Sequence, residues 1–197
     1  MTRVVGGSAG GRRLAVPAGR DTRPTSDRAR EALFSALEAL TGGLGGLRVL
    51  DLYAGSGAVG LEALSRGAAA AVLVENDPKA VRVVRENVAA LGLSGAQVIP
   101  RAVTAYLAEP APEPFDVVFA DPPYALAATE LADQLAGAGR RGWIAPGAVV
   151  VVERATRDPG WIWPTGLEPA RDRRYGEATL WYARATQFPD PGKSAAH

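Results

Sequence analysis

The chain has 197 residues, 47 % of them hydrophobic and 22 % charged, with a formal net charge of +1. That is enough for one large globular domain whose core needs no staples. Cysteine is absent and the one histidine is His197, which excludes disulfides, thiolate nucleophiles, Ser-His-Asp triads and His- or Cys-ligated metals, so no metal is expected.

No apolar run approaches the roughly 20 residues of a membrane span. Arg12, Arg13 and the glycines around them interrupt any signal-peptide core, so the expected location is the cytoplasm. The charge is uneven: residues 1–30 hold seven arginines against Asp21 and Asp27, a local net of +5, and the rest of the chain carries −4. Arginine forks onto phosphates and stacks on bases. The N-terminal stretch is therefore a candidate nucleic-acid contact, the alternative being a solvated basic arm.

In chain order, Val4-Val5 and Leu14-Ala15-Val16 flank a Gly- and Arg-bearing turn and predict a small hairpin. Residues 17–24 form a polar connector. Thr25 or Ser26 is a good N-cap for a helix to about Leu40, with Ala29, Leu33, Ala36, Leu37 and Leu40 as its apolar stripe. From Leu47 strands and helices alternate. Strands are predicted over 49–52, 70–74, 97–100, 115–120 and 148–153, and helices over 58–66, 78–91, 103–107 and 126–138. Continuous apolar strands alternating with amphipathic helices predict an α/β, doubly wound, mostly parallel sheet. Two last strands, 168–175 and 178–183, join at Gly176 as an antiparallel pair closing that sheet. The expected organisation is a basic hairpin extension over 1–24, the main domain over 25–185, and a frayed tail over 186–197.

The first strand of this alternation ends in Asp51-Leu52-Tyr53-Ala54-Gly55-Ser56-Gly57, and Gly60 completes a G-x-G-x-x-G pattern. Glycine there permits positive φ and a close ligand approach. Glu75 ends the next strand, where a carboxylate can accept from ribose hydroxyls. A nucleoside cofactor is expected. A nicotinamide dinucleotide would set its pyrophosphate on the helix N-terminus, beside which Asp51 would be repulsive. S-adenosylmethionine has no phosphate, and its cationic amino-acid part suits Asp51, so it is the favoured cofactor.

The strand 115–120 runs into Asp121-Pro122-Pro123-Tyr124. Two prolines force the chain out of the sheet and leave backbone carbonyls unpaired. An acid, free carbonyls and an aromatic face suit a planar substrate bearing an exocyclic amino group. A plain strand-terminating turn is the alternative.

With both motifs in order, the chain resembles class I S-adenosylmethionine-dependent methyltransferases that act on amino groups. Asp21 through Phe34, Asp51 through Gly57, Gly60 through Gly67, Asp121 through Tyr124, and Tyr175 through Leu180 are similar to the signature segments of the RsmD family. That resemblance implies a class I Rossmann-like, seven-stranded fold and an rRNA (guanine-N2-)-methyltransferase. Its expected partners are S-adenosylmethionine and the 16S rRNA of the small ribosomal subunit, and its expected state is a monomer.

The implied cofactor site is Asp51, Tyr53, Ala54, Gly55, Ser56, Gly57, Glu75, Asn76 and Asp121. Arg101 and Ala102 stand where the family holds the adenine. Asp121, Pro122, Pro123 and Tyr124 are the implied catalytic group, and Arg12, Arg13, Arg23, Arg28 and Arg30 the implied RNA grip. Rival readings keep the amino-methylating chemistry but change the acceptor to another RNA, DNA adenine or protein glutamine. A non-catalytic RNA-binding assembly factor on the same scaffold is a further rival.

Overall fold

In a computed structural model, residues 2–17 and 27–189 are described. Arg20, Arg23, Thr25, Ser26 and the tail from residue 190 lie outside the described residues.

A short antiparallel hairpin, β1 (Thr2–Arg3) with β2 (Arg13–Leu14), comes first. Helix α1 (Asp27–Thr41) follows and buries Ala29, Leu33, Ala36 and Leu37 of the stripe read from periodicity, with Phe34 beside them and Leu40 half-buried at its end. Then come β3 (Arg48–Leu52), α2 (Ala58–Ser65), β4 (Ala70–Val74), α3 (Pro78–Leu91), β5 (Ala96–Ile99), α4 (Val103–Leu107) and β6 (Phe115–Ala120). The chain closes with α5 (Ala128–Arg140), β7 (Ile144–Ala155), β8 (Leu167–Tyr175) and β9 (Ala178–Ala185).

Local chemistry explains the boundaries. Asp77 caps α3 by accepting from the Lys79 N–H at 2.9 Å, Pro78 opens it, and Gly92 closes it at φ 64°. Strand β7 is longer than expected. Pro146 and Gly147 break its apolar pattern, and the register shifts there, so that Ile144 pairs with Phe115 and Val149 with Val117.

The main sheet has seven strands in the order β5-β4-β3-β6-β7-β9-β8. The first five run parallel, and β9 pairs antiparallel with both β7 and β8. Successive residues of each strand face opposite sides, so both faces need cover. Val49, Leu73, Phe119, Val151 and Tyr182 pack under α1, α2 and α3, and Leu50, Val72, Val118 and Val150 under α4 and α5. Trp143, 1 % exposed, belongs to the second layer.

Strand order reverses between β3, which leads to β4 and β5 on one side, and β6, which leads to β7 on the other. Such a switch point opens a crevice at the carboxyl ends of the strands. The N-terminal hairpin is fastened to α2. Buried Glu62 accepts from the N–H groups of Val5 at 2.6 Å and Gly6 at 2.7 Å, and Ser65 Oγ accepts from the Ala9 N–H at 2.9 Å.

Candidate active site

Two buried carboxylates stand around the turn after β3, Asp51 within β3 and Glu75 just past β4. Asp51 is 2 % exposed and accepts from the Gly60 N–H at 2.9 Å. Burial, with a smaller push from Glu75, raises its pKa to about 7 against the bond from Gly60. Glu75, also 2 % exposed, accepts from the N–H groups of Gly55, Asn76 and Asp77, each at 2.9 Å. One carboxylate thus ties the glycine loop to the end of β4.

The glycines divide their work. Gly55 lies on the cavity wall. Gly57 and Gly60 instead let α2 press on the sheet, because a Cβ on either would stand 2.9 Å from Leu73 Cδ2. Gly57 itself does not line the cavity.

Tyr53 is the one non-glycine residue with positive φ among those described, at 63°. For a bulky side chain this is strained backbone. Its hydroxyl donates to Gln134 Oε1 at 2.6 Å, and burial pushes its pKa up to about 12.

Asn87, 3 % exposed on α3, steadies the loop from behind. Its Nδ2 donates to the carbonyls of Ser56 at 2.9 Å and Ala15 at 3.0 Å, and its Oδ1 accepts from the Ala15 N–H at 2.8 Å. The stretch after the hairpin is held by these bonds, so Val16 and Pro17 reach the cavity.

These groups enclose a cavity of about 360 Å³ at the carboxyl edge of the sheet, a size usual for small-ligand sites. Asp51, Tyr53, Ala54, Gly55, Ser56, Glu75, Asn76, Arg101, Ala102, Asp121 and Pro123 of the expected set all line it. So do Val16, Pro17, Glu130 and Gln134, which the sequence reading did not single out. The Arg101 guanidinium is exposed and turns to Glu109 at 2.9 Å.

Strand β6 delivers Asp121, whose N–H reaches the Leu52 carbonyl at 3.5 Å. The Pro123 carbonyl accepts from the Leu126 N–H at 2.9 Å. Pro122 is buried and off the cavity wall, whereas Pro123 lines it. Tyr124 is 60 % exposed and also off the wall, with the Arg157 guanidinium 5.9 Å from its ring centre.

The arginines separate. Arg13 and Arg28 are exposed. Arg12 is exposed but donates to the carbonyls of Ala90 and Leu91 at the end of α3. Arg30 is 1 % exposed, bonded to Thr2 Oγ1 at 3.0 Å and Asp27 at 2.8 Å, and 3.6 Å from Glu62. Its guanidinium fastens the hairpin, and Arg30 also lines the cavity described above.

Among the described residues, no cluster of His, Cys, Asp and Glu suits a metal, and no helix is long and apolar enough to cross a membrane.

Comparisons with known proteins agree with this geometry. The family described as Conserved hypothetical protein 95 matches residues 2–184. The Ribosomal RNA small subunit methyltransferase D of Escherichia coli K12 is 39 % identical over 151 residues, covering 77 % of this chain and 73 % of that protein. Its namesake in Haemophilus influenzae is 35 % identical over 160 residues, 80 % of each chain. The solved structure of yhhF from Escherichia coli superposes with a TM-score of 0.80 at 33 % identity, covering 94 % of this chain and 98 % of that one. The seven-stranded sheet with its antiparallel last pair is the class I methyltransferase architecture. The chain belongs to the Conserved hypothetical protein 95 family, the RsmD family of methyltransferases.

Proposed function

We propose that the protein transfers a methyl group from S-adenosylmethionine to the exocyclic N2 of a guanine in 16S rRNA. The observation that carries this reading is the placement of Asp121 on the wall of a cavity that also holds two buried carboxylates, Asp51 and Glu75. Such a wall would repel a pyrophosphate. It suits ribose hydroxyls, which Glu75 can accept from, and a cationic amino-acid moiety, which Asp51 can neutralise. When bound, the cofactor supplies a methyl group on a sulfonium.

The guanine amino group is a poor nucleophile because its lone pair is shared with the ring. Asp121 and the Pro122 carbonyl would accept its two hydrogens and favour a tetrahedral nitrogen whose lone pair points at the incoming carbon. Asp121 would also take the proton that N2 gives up on methylation. Alignment contributes several kcal/mol to such a step, on the order of 7–11 at its limit, and a positioned base roughly 10²–10⁴-fold. The target base must leave its stack to reach the wall.

The test is transfer of labelled methyl to naked 16S rRNA, to small subunits lacking the modification, and to duplex DNA. The expected product is N2-methylguanosine in RNA, lost in Asp121→Ala while S-adenosylhomocysteine still binds. Label in DNA or protein, or near-normal turnover in Asp121→Ala, would overturn the assignment.

A further inference from the structure

The connection from β7 to β8 leaves the carboxyl edge of the sheet beside Asp121-Pro122-Pro123-Tyr124, and it is pinned on two sides. Arg154 donates to the Leu126 carbonyl at 3.0 Å and pairs with Asp158 at 3.2 Å. The Thr156 N–H reaches the Glu177 carbonyl at 2.7 Å, and its hydroxyl the Gly176 carbonyl at 3.2 Å. The Asp158 N–H closes the turn on the Ala155 carbonyl at 2.9 Å.

Between these anchors stands Arg157. It is exposed, has no carboxylate partner among the described residues, and holds its guanidinium 5.9 Å from the ring centre of Tyr124. Tyr124 in turn is one of three large apolar side chains left exposed among the described residues, at 60 %. A planar cation therefore lies over an exposed aromatic ring next to Asp121, off the cavity wall.

Resting on the function proposed above, we infer that Arg157 and Tyr124 are the two jaws of a clamp that takes the flipped guanine between them. A base stacked on both jaws needs two van der Waals contacts, about 7 Å in all. The present gap of 5.9 Å is short of that by roughly 1 Å, within reach of one exposed arginine side chain on an anchored turn. Tyrosine offers a face to any base. Arginine adds a planar, weakly hydrated cation that stacks as well as pairs, which lysine does not. The pinned turn limits where the upper jaw sits, so the slot selects a single planar group and delivers its amino edge to Asp121.

The test is a double-mutant cycle on RNA methylation with Arg157→Ala and Tyr124→Ala. Thermal unfolding and S-adenosylhomocysteine affinity are measured alongside. Each single change is expected to raise KM for RNA by about 10-fold, within the range seen when stacking partners are truncated, with cofactor affinity unchanged. Because both jaws act on one base, the double variant should lose little more than the worse single one. Arg157→Lys should recover less than half of the lost kcat/KM.

Multiplicative losses, an unchanged KM in Arg157→Ala, or full recovery by lysine would each overturn the clamp. If the wild-type protein transfers no methyl to RNA, the function reading falls first and the clamp falls with it. Activity with wild-type-like Arg157 variants sinks the clamp alone.

Discussion

Asp51 carries a cost that changes with pH. Its folded-state pKa is raised from 3.8 to about 7. Between those values the folded protein holds a proton that the unfolded chain has released. Stability therefore falls as pH rises through this window, and the full penalty is present above the folded pKa. Roughly 3 pH units at 1.36 kcal/mol each set a ceiling of about 4 kcal/mol. Asp51→Asn removes the ionisation and keeps an oxygen for the Gly60 N–H.

At 2–4 °C per kcal/mol for a chain of this size, the variant should melt at least about 4 °C higher at pH 8. At pH 5 native Asp51 keeps its proton but the unfolded chain has largely released its own, so only a little over a third of the penalty is present and the gain should be less than half that at pH 8. Calorimetry of the two proteins across pH measures this difference. The same variant should bind S-adenosylhomocysteine at least about 10-fold more weakly at pH 8, since a charge worth about 1.4 kcal/mol or more is gone. A lower melting temperature at pH 8, or a gain that does not vary with pH, would refute the reasoning.

Two further outcomes are expected. Glu62→Ala removes the most buried carboxylate partner of Arg30, which keeps Asp27, and of Arg66, which keeps Glu31 and Glu38, and it orphans the Val5 and Gly6 N–H groups. Removing one side of a buried pair costs about 3–5 kcal/mol, to be read as a lower urea midpoint at constant slope. Asn87→Ala leaves the Ala15 N–H and Ser56 carbonyl without their side-chain partner, at about 1–3 kcal/mol for each group left buried and unpaired. Amide exchange over residues 14–17 should quicken and cofactor affinity fall, while the hydrogen-bonded core of the sheet stays protected.

The sequence made visible whatever is encoded locally. The strands at 70–74 and 115–120 and the helices at 78–91 and 103–107 end where expected, because prolines, glycines and apolar runs mark them residue by residue. The cavity wall from Asp51 to Asn76 was legible for the same reason: it lies at strand ends followed by turn residues.

What stayed hidden depends on distant partners. Gln134 meets Tyr53 across 81 positions, and Asn87 meets Ala15 across 72. Neither residue type is unusual on a helix, so no local pattern sets them apart. Arg30 sits in the same arginine-rich stretch as exposed Arg28, and only its distant partner Glu62 on α2 sets it apart. Gly57 fits a ligand-approach pattern whose glycines serve packing equally well, and the closeness of Leu73 behind it is set by the fold and not by the local sequence.

The strand order has a consequence for synthesis. Val149–Val152 runs down β7, and its outer edge is covered by β9, the last strand among the described residues. The preceding strand, β8, pairs with β9 and not with β7. Until residue 185 has left the ribosome, four consecutive valines therefore present an unpaired, uncharged edge, the kind that seeds association between nascent chains. Premature termination anywhere within β8 or the turn after it would release a product whose five parallel strands are built but whose most adhesive edge is bare. Such fragments should partition into the insoluble fraction even though they retain the whole cavity wall.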